Sequence, residues 1–326
     1  MRDRLRMQTA VGIVLLLYGL AAIAGDAEAL VSRVAAATKS LSYDGIFVYS
    51  RASHLDAMRI VHRAINGAET ERLVSLSGPA REVVRDGTRV TCTFADDKAV
   101  MVEKRQPSDF LGLDLSEPIE RVSRFYTFAI IGHDRVAGRP TTMVLIQPKE
   151  PDRYGYRLWL DDSSNLLLKS AVLDRHANTL EQVMFTQIQI SDAITDERLR
   201  PELDGAGFTW YTNSAEESPA AEARGQPATW SVGWLPRGFE MRNFRTQHLA
   251  ASKMPVKHLV YSDGLAMISV FVEELLQTEA PLQGYSSMGA VNAFSRVDTR
   301  YQITVVGEVP QPTVRQIAMS VINNQP

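Results

Sequence analysis

The chain has 326 residues, and its 35 Lys and Arg against 38 Asp and Glu leave a net charge of −3. No basic cluster follows the N-terminal arginines, which argues against nucleic acid as the main partner. Cys92 is the only cysteine, so an internal disulfide and a cysteine-based zinc cluster are excluded, and a small buried apolar role in a strand is expected of it.

The N-terminus reads as an export signal. Arg2, Arg4 and Arg6 give a positive start, and Ala10 to Ile23 is an uncharged apolar run. That run falls short of the roughly 20 apolar residues a membrane span needs. Ala22-Ile23-Ala24 and Ala27-Glu28-Ala29 both offer small-x-small cleavage sites. The cut after Ala24 is preferred, because a cut after Ala29 would trim the amphipathic helix that begins there. Residues 1–24 are therefore expected to be a cleaved signal peptide, delivering a soluble chain to the periplasm. A retained signal anchor is the alternative reading.

Leu30, Val34, Ala37 and Leu41 share one helical face, so the spacing predicts a helix over 26–41. The period then changes to two. Tyr43, Gly45, Phe47 and Tyr49 alternate along a first strand; Met58, Ile60 and His62 share a face on a second; Val74 and Leu76 are expected to face inward on a third. Arg81 to Arg85 and Arg89 to Phe94 flank an Asp86-Gly87 hairpin signal. Pro107 to Tyr126 interrupts the strands and reads as holding a short helix, with Ser116 as N-cap, Pro118 in the first turn and Ile119, Val122 and Tyr126 on one face. Strands resume at Phe128 to Val136, Thr141 to Gln147, Tyr154 to Leu160, Leu166 to Asp174 and Thr179 to Ile190. Short strands and close turns predict an antiparallel meander. A long curved sheet with few helices to cover it would leave an apolar cavity.

Ser214 to Ala228 carries no aliphatic or aromatic side chain larger than Ala and reads as an exposed linker. Beyond it come two hairpins, His258 to Tyr261 with Leu265 to Val272 and Val291 to Val297 with Tyr301 to Val306. A final helix follows from Pro312, with Val314, Ile317, Ala318 and Val321 on one face. The expected fold is mainly β with α+β character. Residues 25–213 would form a long curved antiparallel sheet with two helices (a half-open antiparallel β-barrel, as the family resemblance given below implies), 214–228 a linker, and 229–326 a smaller α+β domain.

No catalytic constellation is present: there is no G-x-S-x-G, no H-E-x-x-H and no phosphate-cradling glycine loop. His54 and His62 do not stand at a chelating spacing, and Asp161-Asp162 reads as a solvated turn. An enzyme, a metal site and a cofactor are therefore not expected. Tyr43, Phe47 and Tyr49 suit either a ligand pocket or plain core.

Long phrases carry a family resemblance. "SLSYDGIFVYSR", "REVVRDGTRV", "FYTFAIIGHDRVAGRP" and "RLWLDDSSNLLLKSAVLDRHANTLEQVMFTQIQ" resemble the N-terminal domain of the RseB/MucB family. After the linker, "WSVGWLPRGFE", "HLVYSDGLAMISVFVEE" and "YQITVVGEVPQPTVRQIAMSVI" resemble its C-terminal domain, in the same order. The resemblance implies a periplasmic negative regulator of the σE (AlgU-type) envelope-stress response. Such a protein binds the periplasmic part of a membrane-spanning anti-sigma factor, RseA or MucA, and prevents its first cleavage by a protease of the DegS kind. It also implies a LolA/LolB-like half-barrel whose cavity takes lipid or lipopolysaccharide, which releases the anti-sigma factor. A lipid or lipoprotein carrier is the rival reading, and a homo-oligomer stays open. The cavity candidates are Tyr43, Phe47, Met58, Ile60, Val74 and Leu76, one-face residues of the first three strands. The partner-surface candidates are Tyr261, Leu265, Met267, Val270 and Phe271. The linker is the expected mobile element between the domains.

The signal reading has a direct check. Mass spectrometry of periplasmic material is expected to find a mature chain starting at Gly25. An intact segment from Met1 to Ile23 would refute the cut.

Overall fold

The computed structural model describes residues 25–87, 89–104, 117–203, 205–212, 229–247, 254–276 and 280–324. The expected signal peptide 1–24, the linker 214–228 and the expected N-cap Ser116 lie outside the described residues. No helix among the described residues is long and apolar enough to cross a membrane.

Helix α1 covers 25–40 and buries Ala27, Val31, Val34 and Ala37, the face the spacing predicts, with Leu30 at its edge. Eleven strands follow: β1 (Tyr43–Arg51), β2 (His54–Ile65), β3 (Ala68–Ser75), β4 (Arg81–Asp86), β5 (Arg89–Phe94), β6 (Ala99–Lys104), β7 (Tyr126–Val136), β8 (Arg139–Pro148), β9 (Gly155–Asp161), β10 (Leu167–Leu173) and β11 (Thr179–Ile190). With the short β12 (Thr209–Thr212) they make a twelve-stranded sheet, ordered β12-β6-β5-β4-β3-β2-β1-β11-β10-β9-β8-β7. Two meanders are thus sewn together by the antiparallel β1–β11 pair, and β12 joins β6 in parallel. β7 and β12 are left as the sheet's two ends, so the barrel is half open.

Of the segment Pro107 to Tyr126, residues 107–116 lie outside the described residues; the expected short helix is present as α2 (Ile119–Val122), and Tyr126 opens β7 instead of extending it. Tyr126 still packs beside Val122 in the same core, since both point at the domain junction. A second short helix, α3 (Asp196–Leu199), lies on the outer face of the sheet, where Leu199 packs with Ile194 and Val61.

The C-terminal unit holds β13 (Trp230–Val232), β14 (Glu240–Gln247), β15 (Val256–Ser262), β16 (Met267–Glu274), β17 (Gly284–Met288), β18 (Val291–Asp298), β19 (Tyr301–Gly307), α4 (Gln311–Ser320) and β20 (Val321–Asn323). Six of these strands form a sheet ordered β14-β15-β16-β19-β18-β17. α4 turns Val314, Ile317 and Ala318 onto Ile268, Val270, Ile303 and Val305, which gives this unit its own core.

The two units are docked, not merely tethered. Arg153, in the β8–β9 loop, has a fully buried side chain that donates to Asp263 Oδ2 at 2.8 Å across the junction. It also donates to the Arg237 carbonyl at 2.7 Å and to Asp152 at 2.9 Å, and it lies over the rings of Phe125, Tyr126 and Phe239. Tyr126 Oη donates to the same Asp263 oxygen at 2.9 Å, while Asp263 Oδ1 accepts the amides of Leu265 and Ala266. Leu265 and Ala290, from C-terminal turns, are buried in the N-terminal core. A half-buried Glu117–Arg242 ion pair and a more exposed Arg121–Glu240 pair ring the contact.

Close approach at this junction requires glycine. At Gly238 (φ +90), Gly264 (φ +99) and Gly289 (φ +62), a Cβ would run into Phe125, into Glu117 and Val122, and into Glu181 and Arg51 respectively. All three also have a left-handed backbone that suits glycine.

Removing one partner of a buried ion pair strands the other charge. Asp263→Ala is therefore expected to cost about 3–5 kcal/mol, and urea denaturation of the full chain checks it. A loss of under about 1 kcal/mol, the ordinary scale of an exposed ion pair, would show that the pair does not hold the junction.

Candidate functional site

The face of the sheet shared by β1, β2, β3, β10 and β11 encloses a cavity of about 270 Å3. Its apolar wall is Phe47, Met58, Ile60, Leu73, Val172 and Val183. Strand register explains the grouping: Phe47 pairs with Met58, Ile60 with Leu73, and Tyr49 with Val183, and paired residues share a face. Polar groups stand among them. Glu71 and Arg85 pair at 2.6 Å, and Tyr49 Oη donates to Glu181 Oε2 at 2.5 Å. Burial, and after it the bond to Glu181, push the Tyr49 phenol well up. Glu308, just past β19, completes the wall from the C-terminal unit.

A second, more polar cavity of about 370 Å3 adjoins the first and shares Tyr49 and Met58 with it. Arg51, Arg81, Asp56, Asp96 and Asp97 supply its charges.

Of the six cavity candidates, Phe47, Met58 and Ile60 line the cavity. Tyr43 does not. It is fully buried in packed core, stacked 4.9 Å from His62 and edge-on to Phe185. Val74 and Leu76 are corrected. Val74 pairs with Arg59 and Glu82, which places it on the outer face, where Arg72 and Glu82 form a buried ion pair. Leu76 lies beyond the strand and is half exposed. The cavity residue of β3 is Leu73. A one-residue slip in register exchanges the two faces, and two apolar residues in succession, Leu73 and Val74, left the alternation ambiguous. Tyr49, which the sequence offers to either a pocket or plain core, lines the cavity; Val172, Val183 and Glu181 are lining residues the sequence reading does not single out.

The partner-surface candidates divide in the same way. Tyr261 and Val270 are buried in the C-terminal core, and Leu265 is buried at the domain junction, so these three do not form an open surface. Met267 is exposed on β16, and Phe271 is half-buried on the same outer face. The physical reason is plain: apolar residues that alternate along a strand face its own core first.

Asp161 is likewise not a solvated turn residue. It is buried and accepts from Arg139 in a two-pronged contact and from the hydroxyls of Ser163 and Ser164. Burial alone would raise it, but these donors outweigh that and pull it down to about 2. Its role is to fix the β9–β10 turn. The described residues include no cluster of side chains suited to a metal ion.

Comparison with known proteins bears on this geometry. The model of the MucB/RseB N-terminal domain matches residues 26–203, and that of the MucB/RseB C-terminal domain matches 224–322. The chain belongs to the MucB/RseB family. The sigma factor AlgU regulatory protein MucB of Pseudomonas aeruginosa is 32% identical over 324 residues, spanning 95% of this chain and 96% of that protein. The sigma-E factor regulatory protein RseB of Haemophilus influenzae is 28% identical over 318 residues, spanning 96% of each. A crystal structure of MucB in complex with MucA(peri) superposes with a TM-score of 0.71 at 30% identity, covering 92% of this chain and all of that one. A Pseudomonas aeruginosa MucA/MucB complex gives 0.73 at 29% identity over the same shares. The MucB/RseB resemblance and the mainly β fold read from the sequence both hold.

On the outer face of the C-terminal sheet, His258 stacks on Phe271 at 4.3 Å. Its Nδ1 accepts from Arg245 Nε at 3.2 Å, and its Nε2 stands 2.9 Å from Ser269 Oγ. Burial first, and Arg245 second, lower it from its ordinary 6.5 to about 4. An unfolded chain gains this proton near 6.5, whereas the folded one refuses it until about 4. The stability His258 protects is therefore full above 6.5 and lost as the pH falls toward 4. Urea midpoints measured from about pH 7 to about pH 4.5 are expected to fall, and to fall less in a His258→Gln protein. Equal slopes for both proteins would show that His258 does not carry the effect.

Proposed function

We propose that the chain is a periplasmic regulator of the σE type. It binds the periplasmic region of a transmembrane anti-sigma factor, shields it from regulated proteolysis and so restrains the sigma factor. Residues 1–24 act as its cleaved signal. The observation that supports this most is the extent of the match to the MucB of the MucA complexes, which runs through both units for 92% of this chain. Met267 and Phe271, on the outer face of the C-terminal sheet, are the contact residues we assign to the partner.

The N-terminal cavity serves as the sensor. Its wall of Phe47, Met58, Ile60, Leu73, Val172 and Val183 suits an acyl chain, and the adjoining cleft, where Arg51 and Arg81 stand among Asp56, Asp96 and Asp97, suits a polar head group. A lipid or lipopolysaccharide seated there would weaken the hold on the anti-sigma factor by linkage: whatever factor the partner loses, the lipid loses in return. A plain lipid carrier would use the same cavity. The regulator is favoured because Glu308 of the second unit is part of the cavity wall.

A pull-down with the periplasmic segment of the host's anti-sigma factor is expected to capture the full chain, and lipopolysaccharide to release it. Ile60→Asp would put a carboxylate into the apolar wall, a costly burial that disfavours an alkyl chain. In a protein shown to be folded by circular dichroism, the segment should then stay bound when lipopolysaccharide is added. Leu73→Asp, at a half-buried position of the same wall, is the second variant should Ile60→Asp not fold. Failure of the wild-type chain to bind the segment at all would favour the carrier.

A further inference from the structure

We propose that Glu181 couples occupation of the N-terminal cavity to the docking of the C-terminal domain, so that an acyl chain entering the cavity loosens the turn at Gly289-Ala290. The inference rests on the cavity reading above.

Glu181 belongs to both places at once. It lies on β11 opposite Arg51 and Val172, and its side chain is part of the cavity wall. Its two oxygens are divided between the units: Oε2 accepts from Tyr49 Oη at 2.5 Å, and Oε1 accepts the Ala290 amide at 2.8 Å. Ala290 is fully buried in the N-terminal core. The turn has no slack, since a Cβ on Gly289 would collide with the Glu181 carboxylate and with Arg51.

The cavity must widen to take a long chain, and the wall differs in how firmly it is held. Ile60 is fully buried, Phe47 packs edge-on to Phe185, and Glu71 is tied to Arg85. Tyr49 is half-buried, is held by Glu181 and by the Arg51 guanidinium over its ring, and stands with Met58 between the first cavity and the second. Moving Tyr49 widens the first cavity toward the second. The same movement takes a donor from Glu181 and leaves its carboxylate against alkyl groups, which is unfavourable without a replacement partner. Glu181 then turns toward water, and the buried Ala290 amide loses its acceptor. Tyr49 and Glu181 are positioning residues here, acting on the junction through one hydrogen-bonded chain.

The test is amide exchange at Ala290 in the full chain, with decanoate as probe and calorimetry to establish its binding. At saturating decanoate the wild-type Ala290 amide is expected to exchange about tenfold faster or more, the scale of one lost buried hydrogen bond. Glu181→Ala should exchange that fast with no decanoate present. Tyr49→Phe keeps the ring and removes only the hydroxyl, so its Ala290 exchange should change by less than about twofold on saturation. Wild-type binding without faster exchange would overturn the coupling and leave the cavity standing. So would Glu181→Ala exchange matching the wild type, or a Tyr49→Phe response as large as the wild type's. Absence of any decanoate binding would remove the cavity reading and this inference with it, while capture of the anti-sigma segment would be untouched.

Discussion

Arg153 sets the architecture of the junction. A guanidinium with no exposed side-chain surface must have its donors met and its charge balanced. Neither unit does so alone. The N-terminal loop supplies Asp152, the C-terminal unit supplies Asp263 and the Arg237 carbonyl, and rings from both sides close over the plane. Without the second unit, Arg153 would keep Asp152 and the more distant Glu150 but lose Asp263 and the Arg237 carbonyl, leaving buried donors unmet beside Tyr126 and Phe125. The same requirement fixes where the turn at 262–266 sits, and with it the seat of Leu265 in the N-terminal core. Ala290 reaches the N-terminal core, and Glu308 the cavity wall, because that seat is fixed.

This geometry changes the expected source of motion. The composition of 214–228 suggests two bodies free to turn about a tether. A buried ion pair, apolar residues shared between cores and close-packed glycine turns instead give the units one docked arrangement. Relative movement has to begin by opening contacts at the junction. The cavity lies beside one of them, so a ligand has something specific to act on.

Much of the fold is legible in the sequence, and the reason is periodicity. The alternation of Tyr43, Gly45, Phe47 and Tyr49, the Asp86-Gly87 turn and the helical face of Val314, Ile317 and Ala318 each have one physical solution, and each appears. What escaped was non-local. The parallel pairing of β12 with β6 joins Thr209 to Ala99 and has no local signature. Edge strands β14 and β17 carry mixed, exposed side chains and lack a clean alternation. The register that selects Leu73 over Val74 is decided by pairing with Ile60, across a hairpin. Leu265 looks like the start of a strand because it is apolar, yet it leaves the sheet to enter the other unit's core. A sequence displays that a residue wants to be buried; it does not display in which core.

The three junction glycines have a consequence for modularity. Gly238, Gly264 and Gly289 each meet a named group of the N-terminal unit: Phe125, the Glu117–Val122 ledge, and the Glu181–Arg51 pair. These contacts behave as a three-pin connector, in which plug and socket were shaped against one another. A chimera that joined the N-terminal half of this chain to the C-terminal half of a relative would inherit mismatched pins wherever a side chain replaced one of these hydrogens. The interchangeable part is therefore not the domain as delimited by the linker. It is the domain together with the opposing face of its neighbour, and any shuffling of halves between relatives has to carry both.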